Sequence, residues 1–340
     1  MTRTPLRISF FGGGTDYPEY YRRRPGAVVG TAIDKYIYIS ALRLTAYQPY
    51  NYRVAYSTLE FSQKLDEIQH PVVREVLKYY EVTDRLDISV MSDLPSSGSG
   101  LGSSSAFTVG FLNLINSMMH RPMTKMDLAR EATKVERELL HENVGVQDQL
   151  HASFGGINRF DFFEKQIRVT PISISARDLN RINESLVLVH TGIARRATDT
   201  VSEQVAATAT GSIDNDLEAL YAMVEDCSNI LEEGGESMLR DLGDLFCKSW
   251  DIKRRLSSKV SNGAIDELYA KVMAAGAYGG KLCGAGGGGF LAMLVPPEKI
   301  AHVREAVFPL AVIPTSIDLT GTVLVNQSPA IDILKSSRVW

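Results

Sequence analysis

The chain has 340 residues, 44% hydrophobic and 22% charged, which suits one large or two medium domains with a substantial core. A formal net charge of −4 and a pI of about 5.9 speak against a nucleic-acid partner. No apolar run reaches membrane-spanning length, Met1–Pro5 shows no signal-peptide core, and Cys227, Cys247 and Cys283 form no CxxC; a membrane partner, a disulfide framework and a zinc site are not indicated, and a reducing cytoplasm is expected.

In chain order, residues 3–10 and 28–42 read as strands, the second rich in β-branched and aromatic side chains from Val28 to Ile39. Between them lies Gly12-Gly13-Gly14-Thr15-Asp16-Tyr17. Residues 52–57 and 86–91 read as strands and 66–80 as a helix. Then comes Pro95-Ser-Ser-Gly-Ser-Gly-Leu-Gly-Ser-Ser-Ser-Ala106, running directly into an apolar helix over 107–118. Glycine lets a backbone approach a ligand closely. A helix N-terminus adds unpaired N–H groups and the positive end of the dipole. Together they make an anion cradle; a flexible Gly/Ser linker is the blander reading.

A helix is predicted over 125–141, opened by Thr124 and Asp127 as an approximate capping box, with Leu128, Ala132, Val135 and Leu139 as its stripe. Helical geometry puts Glu136 about 80° from the centre of that stripe, at the edge of the buried face. Residues 185–190 read as a buried strand and 197–275 as mostly helical, with a break at Gly234-Gly235. A glycine-rich turn at 284–289 precedes a strand at 290–295, and 320–325 gives the last strand. Strands and helices without strict βαβ alternation indicate α+β, divided near residue 180 into segments 1–180 and 181–340.

The 95–106 cradle can be classified by spacing. A P-loop needs a Lys that is missing here, a dinucleotide fingerprint needs Gly where Ser103 stands, and neither H-R-D nor D-F-G occurs. What remains is P-x-x-x-G-L-G-S-S from Pro95 to Ser104. That string resembles the second signature of the GHMP kinases, a family that includes galactokinase, homoserine kinase and mevalonate kinase. The resemblance implies a two-domain fold, with a ribosomal protein S5 domain 2-like N-terminal part and a ferredoxin-like C-terminal part. It also implies ATP as co-substrate with Mg²⁺, a sugar or sugar-phosphate acceptor, and a monomer or homodimer. On it, Pro95, Ser97, Gly98, Ser99, Gly100, Leu101, Gly102, Ser103 and Ser104 would wrap the nucleotide phosphates.

Other segments extend the likeness. Lys281-Leu-Cys-Gly-Ala-Gly-Gly-Gly-Gly-Phe290 resembles the third signature, and Gly286 and Gly287 are expected near the substrate. Thr4 to Tyr17 resembles the first, where substrate binds: Gly13 and Gly14 stand where galactokinases carry Glu and His, while Thr15, Asp16 and Tyr17 remain. A carboxylate such as Asp16 can accept bonds from two neighbouring sugar hydroxyls; a plain turn residue is the alternative. Gly145-x-x-Asp148-Gln149 with Gly155-Gly156 resembles the segment whose Asp takes or orients the acceptor proton, though an N-cap would look the same. Arg7 matches a cation lying against that Asp, and Glu136 with Ser104 matches the Mg²⁺ ligands. Thr191, Gly192, Arg195 and Arg196 either grip an acceptor phosphate or form a solvated basic turn. Within the family the pattern is most similar to the heptose 7-phosphate kinases, which phosphorylate an anomeric C1 hydroxyl. A fucose-type sugar-1-kinase and a non-catalytic sugar or nucleotide sensor are the competing readings. Retention of Arg7, Ser104, Glu136 and Asp148 argues against the sensor.

Overall fold

The structure, a computed structural model, describes residues 1–95, 98–193, 198–257 and 259–325. Ser97, Arg195 and Arg196 lie outside the described residues. The N-terminal sheet contains β1 (Thr2–Phe11), β2 (Gly26–Arg43), β3 (Tyr52–Ala55), β4 (Leu59–Ser62), β5 (Leu86–Ser92), β6 (Ile157–Phe162) and β7 (Ile167–Pro171). Its organising element is β2, an 18-residue strand. One edge pairs with β1 from Val29 to Ile39; the other pairs first with β6 and then, beyond a gap, with β5. All neighbours are antiparallel except β3 and β5.

Helices α1 (Pro18–Tyr21), α2 (Pro71–Tyr79), α3 (Ser103–Met118), α4 (Lys125–Lys134) and α5 (Gln147–Phe154) belong to this half, and α6 (Ala176–Ser185) leads out of it. Helix α3 packs on β1 and β2 and is apolar on most sides, as expected of a helix at the centre of a core. The second sheet runs in the order β11–β8–β10–β9, all antiparallel: β8 (Leu186–His190), β9 (Gly279–Leu282), β10 (Phe290–Leu294) and β11 (Val312–Pro314). Helices α7 (Thr198–Thr210) and α8 (Asp214–Glu233) pack on the first half, α7 on α1 and α8 on β1 and β2, while α9 (Met238–Leu256), α10 (Gly263–Ala274) and α11 (Ile300–Val307) pack on the second sheet. The helix break falls where expected, with Gly234 capping α8 at φ +63.

The two halves share one apolar core. Phe10 and Phe11, at the end of β1, meet Phe246 of α9 with centroids 5.6 and 4.8 Å apart. The chain also returns. Ile317 bridges to Ile33, and β12 (Val323–Leu324) pairs antiparallel with β1. Residue 180 falls inside α6 (Ala176–Ser185), and β12, from the C-terminal segment, pairs in the first sheet. Helix α3 begins at Ser103, inside the glycine-serine loop rather than after it. Helix α4 stops at Lys134, and residues 135–139 continue as a π turn, a form frequent at functional sites. Thr124 does cap α4, accepting from the Asp127 N–H. Among the described residues no helix is long and apolar enough to cross a membrane, and the three cysteines are unpaired.

Candidate active site

A cavity of about 610 Å³ opens where the C-terminal end of β1, the α3 N-terminus, the start of α5 and the inner side of α9 converge. Arg7, pointing from β1, organises its floor. Its Nε and Nη2 donate to Oδ1 and Oδ2 of Asp148, both at 2.7 Å, a two-pronged grip. Its Nη1 donates to the Gly100 carbonyl at 2.6 Å, and its backbone N–H donates to the Leu101 carbonyl. One buried guanidinium thus ties Asp148 to the glycine-serine loop. Burial alone would lower its pKa, and the Asp148 carboxylate more than offsets that, leaving it raised.

The loop needs its glycines. Gly102 is the N-cap of α3 at φ +72, and a Cβ there would sit 3.0 Å from Arg7 Cγ and 3.3 Å from Asp148 Oδ2. A Cβ on Gly100 would meet the Cys283 carbonyl oxygen at 2.5 Å, so the 284–289 turn packs backbone to backbone on the loop. Gly98, Ser99, Gly100, Gly102, Ser103 and Ser104 line the cavity. Leu101 does not: it is fully buried, and its carbonyl serves Arg7. Pro95 is exposed and off the cavity wall.

Asp148 is the second residue of α5, whose N-cap is Val146, so the N-cap alternative fails. Asp16 faces the same cavity and is 1% exposed. It accepts from the Gly14 N–H at 3.0 Å and the Gln147 N–H at 3.3 Å, and burial pushes its carboxyl up. Gly13 and Gly14 also line the cavity. Thr15 is different: its hydroxyl donates within the fold, to the Gly12 and Ala27 carbonyls, both at 2.8 Å, and it is fully buried. It holds the turn and does not reach a ligand. Three further lining side chains, Ser9, Gln147 and Ser249, each hold a buried oxygen with no hydrogen-bond partner. Buried polar atoms left this way are expected to meet a polar ligand.

Other expectations shift. Gly286 and Gly287 turn away: Gly287 N–H donates to the Val260 carbonyl, and the cavity instead takes Gly284 and Ala285. Thr191 spends its hydroxyl on the Gly289 carbonyl at 2.9 Å, Gly192 is exposed, and neither lines the cavity. Glu136 sits on the π turn, fully buried rather than at an edge. Its Oε2 accepts from Ser105 Oγ at 2.9 Å and Gln149 Nε2 at 2.6 Å. The hydroxyl it meets is that of Ser105, one residue beyond the expected Ser104, which is exposed to the cavity. Burial pushes the carboxyl up to about 7, and Oε1 has no partner. Among the described residues no three His, Cys, Asp or Glu side chains cluster as a metal site.

Besides Ser9, Gln147 and Ser249, two lining lysines escaped sequence reasoning. Lys253 of α9 donates from Nζ to the Leu282 carbonyl at 3.0 Å and to the Gly284 carbonyl. Lys281 of β9 donates to the Phe10 carbonyl at 2.6 Å and is 5% exposed. Burial pushes Lys253 down to about 8 and Lys281 well below its ordinary value. Lys253 stands beside Arg254 and Arg255, where a basic helix end looks merely solvated. The signal that could have found Lys281 is a lysine inside an otherwise buried strand.

The family models agree with this geometry. The N-terminal domain model of the GHMP kinases matches residues 68–156, and the C-terminal one matches 229–310. A D-glycero-alpha-D-manno-heptose 7-phosphate kinase of Campylobacter jejuni is 31% identical over 317 residues, covering 90% of this chain and 92% of its own. The chain belongs to the GHMP kinase family. A Pyrococcus furiosus galactokinase is 24% identical, covering 90% of this chain and 91% of its own. In fold, the chain is similar to a Bacteroides thetaiotaomicron D-glycero-D-manno-heptose 1-phosphate kinase, with a TM-score of 0.75 at 20% identity over 94% of this chain and 97% of that one. The GHMP kinase is accordingly an α+β phosphotransferase acting on an alcohol, a sugar kinase that uses ATP.

Proposed function

We propose that this GHMP kinase transfers the γ-phosphoryl group of ATP to the anomeric C1 hydroxyl of a heptose 7-phosphate, giving a heptose 1,7-bisphosphate and ADP in the cytoplasm. The observation that carries the reading is the Arg7 fork on Asp148, placed against the glycine-serine loop with Asp16 on the same cavity. Loop N–H groups and the α3 dipole hold the nucleotide phosphates. Asp16, with the partnerless oxygens of Ser9 and Gln147, receives the sugar hydroxyls. The acceptor oxygen forms its bond to the γ-phosphorus, the bond to the bridging oxygen breaks, and ADP leaves with that electron pair. Asp148 takes or orients the acceptor's proton, and Arg7 stabilises charge on the group in transit.

The donor set fits Mg²⁺ in part: Ser104 offers a hydroxyl facing the cavity, while Glu136, with one carboxylate oxygen free of a partner and the other held by Ser105 and Gln149, is buried behind the cavity wall. Few protein ligands suit an ion that keeps several waters and shares substrate phosphates. When bound, it would neutralise phosphate charge.

Support for the heptose comes from the Campylobacter relative, and from Gly13 and Gly14, which leave room where galactokinases carry two side chains. The test is ADP release with heptose 7-phosphate, unphosphorylated heptose, L-fucose and galactose. Turnover should be highest with the first. Preference for an unphosphorylated sugar would replace the reading with a fucose-type kinase, and ATP binding without turnover on any of them would favour a sensor.

A further inference from the structure

We propose that Lys253 and Lys281 form a cationic subsite that takes a terminal phosphoryl dianion where the glycine turn at 284 meets the end of β1. The proposal rests on the kinase reading and adds residues to it. Both ammonium groups line the cavity. Lys253 is anchored on the Leu282 and Gly284 carbonyls, and Lys281 on the Phe10 carbonyl, two residues before the 12–17 turn begins. They therefore stand between the turn that packs on the phosphate loop and the turn that carries Asp16.

Charge is what makes the pair informative. Among the described residues neither lysine has a carboxylate within ion-pair distance, 4.0 Å. The nearby cavity carboxylates are committed elsewhere, Asp148 to Arg7 and Asp16 to two backbone N–H groups. The Cys283 thiol beside them is held neutral by burial. The two ammonium groups and Arg7 also repel one another. A buried, unpaired charge is costly, and carbonyl dipoles offset only part of that cost. A phosphoryl group with two negative charges between the lysines would supply the missing partner. Two ligands could place one there: ATP, by its γ-phosphoryl, and a phosphorylated sugar, by its phosphate. ADP ends one phosphoryl short of the γ position, and the free sugar carries none.

The experiment compares the full-length wild type with Lys253→Met, Lys281→Met and Lys253→Arg by calorimetric titration of ATP, ADP, heptose 7-phosphate and heptose. Loss of a charge-assisted hydrogen bond predicts roughly 10- to 100-fold weaker binding of the phosphoryl-bearing ligand in the Met variants. ADP and heptose should stay within about twofold, and Lys253→Arg should recover most of the affinity, by the same reasoning. Loss confined to ATP supports the subsite and assigns it to the γ-phosphoryl; loss confined to heptose 7-phosphate supports it and assigns it to the acceptor. Equal loss for ADP and heptose, or no loss at all, overturns it. If the Met variants do not fold, acetylation of the wild-type lysines mapped by mass spectrometry decides. Protection of Lys253 by ATP or heptose 7-phosphate, and not by ADP or heptose, supports the subsite, and equal protection by all four overturns it. These measurements need no turnover. A wild type that binds phosphoryl ligands selectively through Lys253 but phosphorylates no sugar would retain the subsite and lose the function reading.

Discussion

The two walls of the cavity neutralise charge in opposite ways. The wall from β1, the 12–17 turn and α5 is internally balanced, with Arg7 paired to Asp148 and Asp16 capped by backbone N–H groups. The wall from α9 and β9 offers Lys253 and Lys281, held by carbonyls alone. The first wall is pre-organised: its groups need no ligand to sit correctly, which is what positioning a reacting hydroxyl requires. The second is complete only with an anion. A balanced wall should lose rate when altered, and an unbalanced one should lose affinity.

The largest effect expected is on the balanced wall. Asp148→Asn keeps the shape but cannot accept both prongs of Arg7 or take a proton. We expect kcat to fall on the order of 10²–10⁴-fold, the usual worth of general-base catalysis, with KM for ATP little changed. Steady-state kinetics with the best sugar would show it. An unchanged kcat would mean that Asp148 only positions the acceptor, and the contrast between rate and affinity would collapse.

How much of this was legible beforehand follows from the same contrast. The loop at 95–104 and Asp148 could be read because glycine spacing records a backbone constraint that few alternatives share. The turn at 284–289 was equally visible as a turn, but which glycines face the cavity depends on Val260, a contact no local pattern encodes. Regular helical spacing puts Glu136 at the edge of the buried face, and the π turn at 135–139 carries it fully inside; the pairing with Ser104 came from the family likeness, and in the structure its carboxylate meets Ser105. Strands β4, β6, β7, β9 and β11 were missed: they are short, or buried on both faces and so without alternation. Lys281 was passed over within the very stretch that resembled a signature, since attention to glycines hid the one charged residue there. The return of β12 to β1 is a matter of tertiary pairing over more than 300 positions, as in Thr2 opposite Leu324.

A smaller effect should follow from crowding Asp16. Gly145 comes so close that a Cβ would lie 1.9 Å from Asp16 Oδ2, which no side chain tolerates. Gly145→Ala must therefore displace the carboxylate or its turn. The cost to stability should resemble other overpacking, about 1–3 kcal/mol. Because Asp16 faces the acceptor side, KM for the sugar should rise on the order of tenfold, about 1.4 kcal/mol, with KM for ATP unaffected. A rise shared equally by both substrates would show that Asp16 supports the whole cavity and not one of its walls.

The last effect, on stability and not on turnover, concerns what backs the balanced wall. His151 of α5 is fully buried against Phe160, ring centroids 4.8 Å apart, and neither ring nitrogen has a partner. Burial, and then the charge of Arg7, push its pKa down to about 3. A histidine whose folded pKa lies below the unfolded value stabilises the fold above the unfolded value of about 6.5, and that contribution is lost as pH falls towards 3. Between pH 6.5 and 5 the loss should be about 2 kcal/mol, since each pH unit in that range is worth about 1.4 kcal/mol per proton. Urea unfolding of the wild type and of His151→Leu at both pH values would measure it. The leucine variant should lack that part of the acid slope, because the change removes the one imidazole responsible and leaves every other titrating group in place. Parallel slopes for the two proteins would mean that water reaches the imidazole, and that the first wall is less dry than its geometry implies.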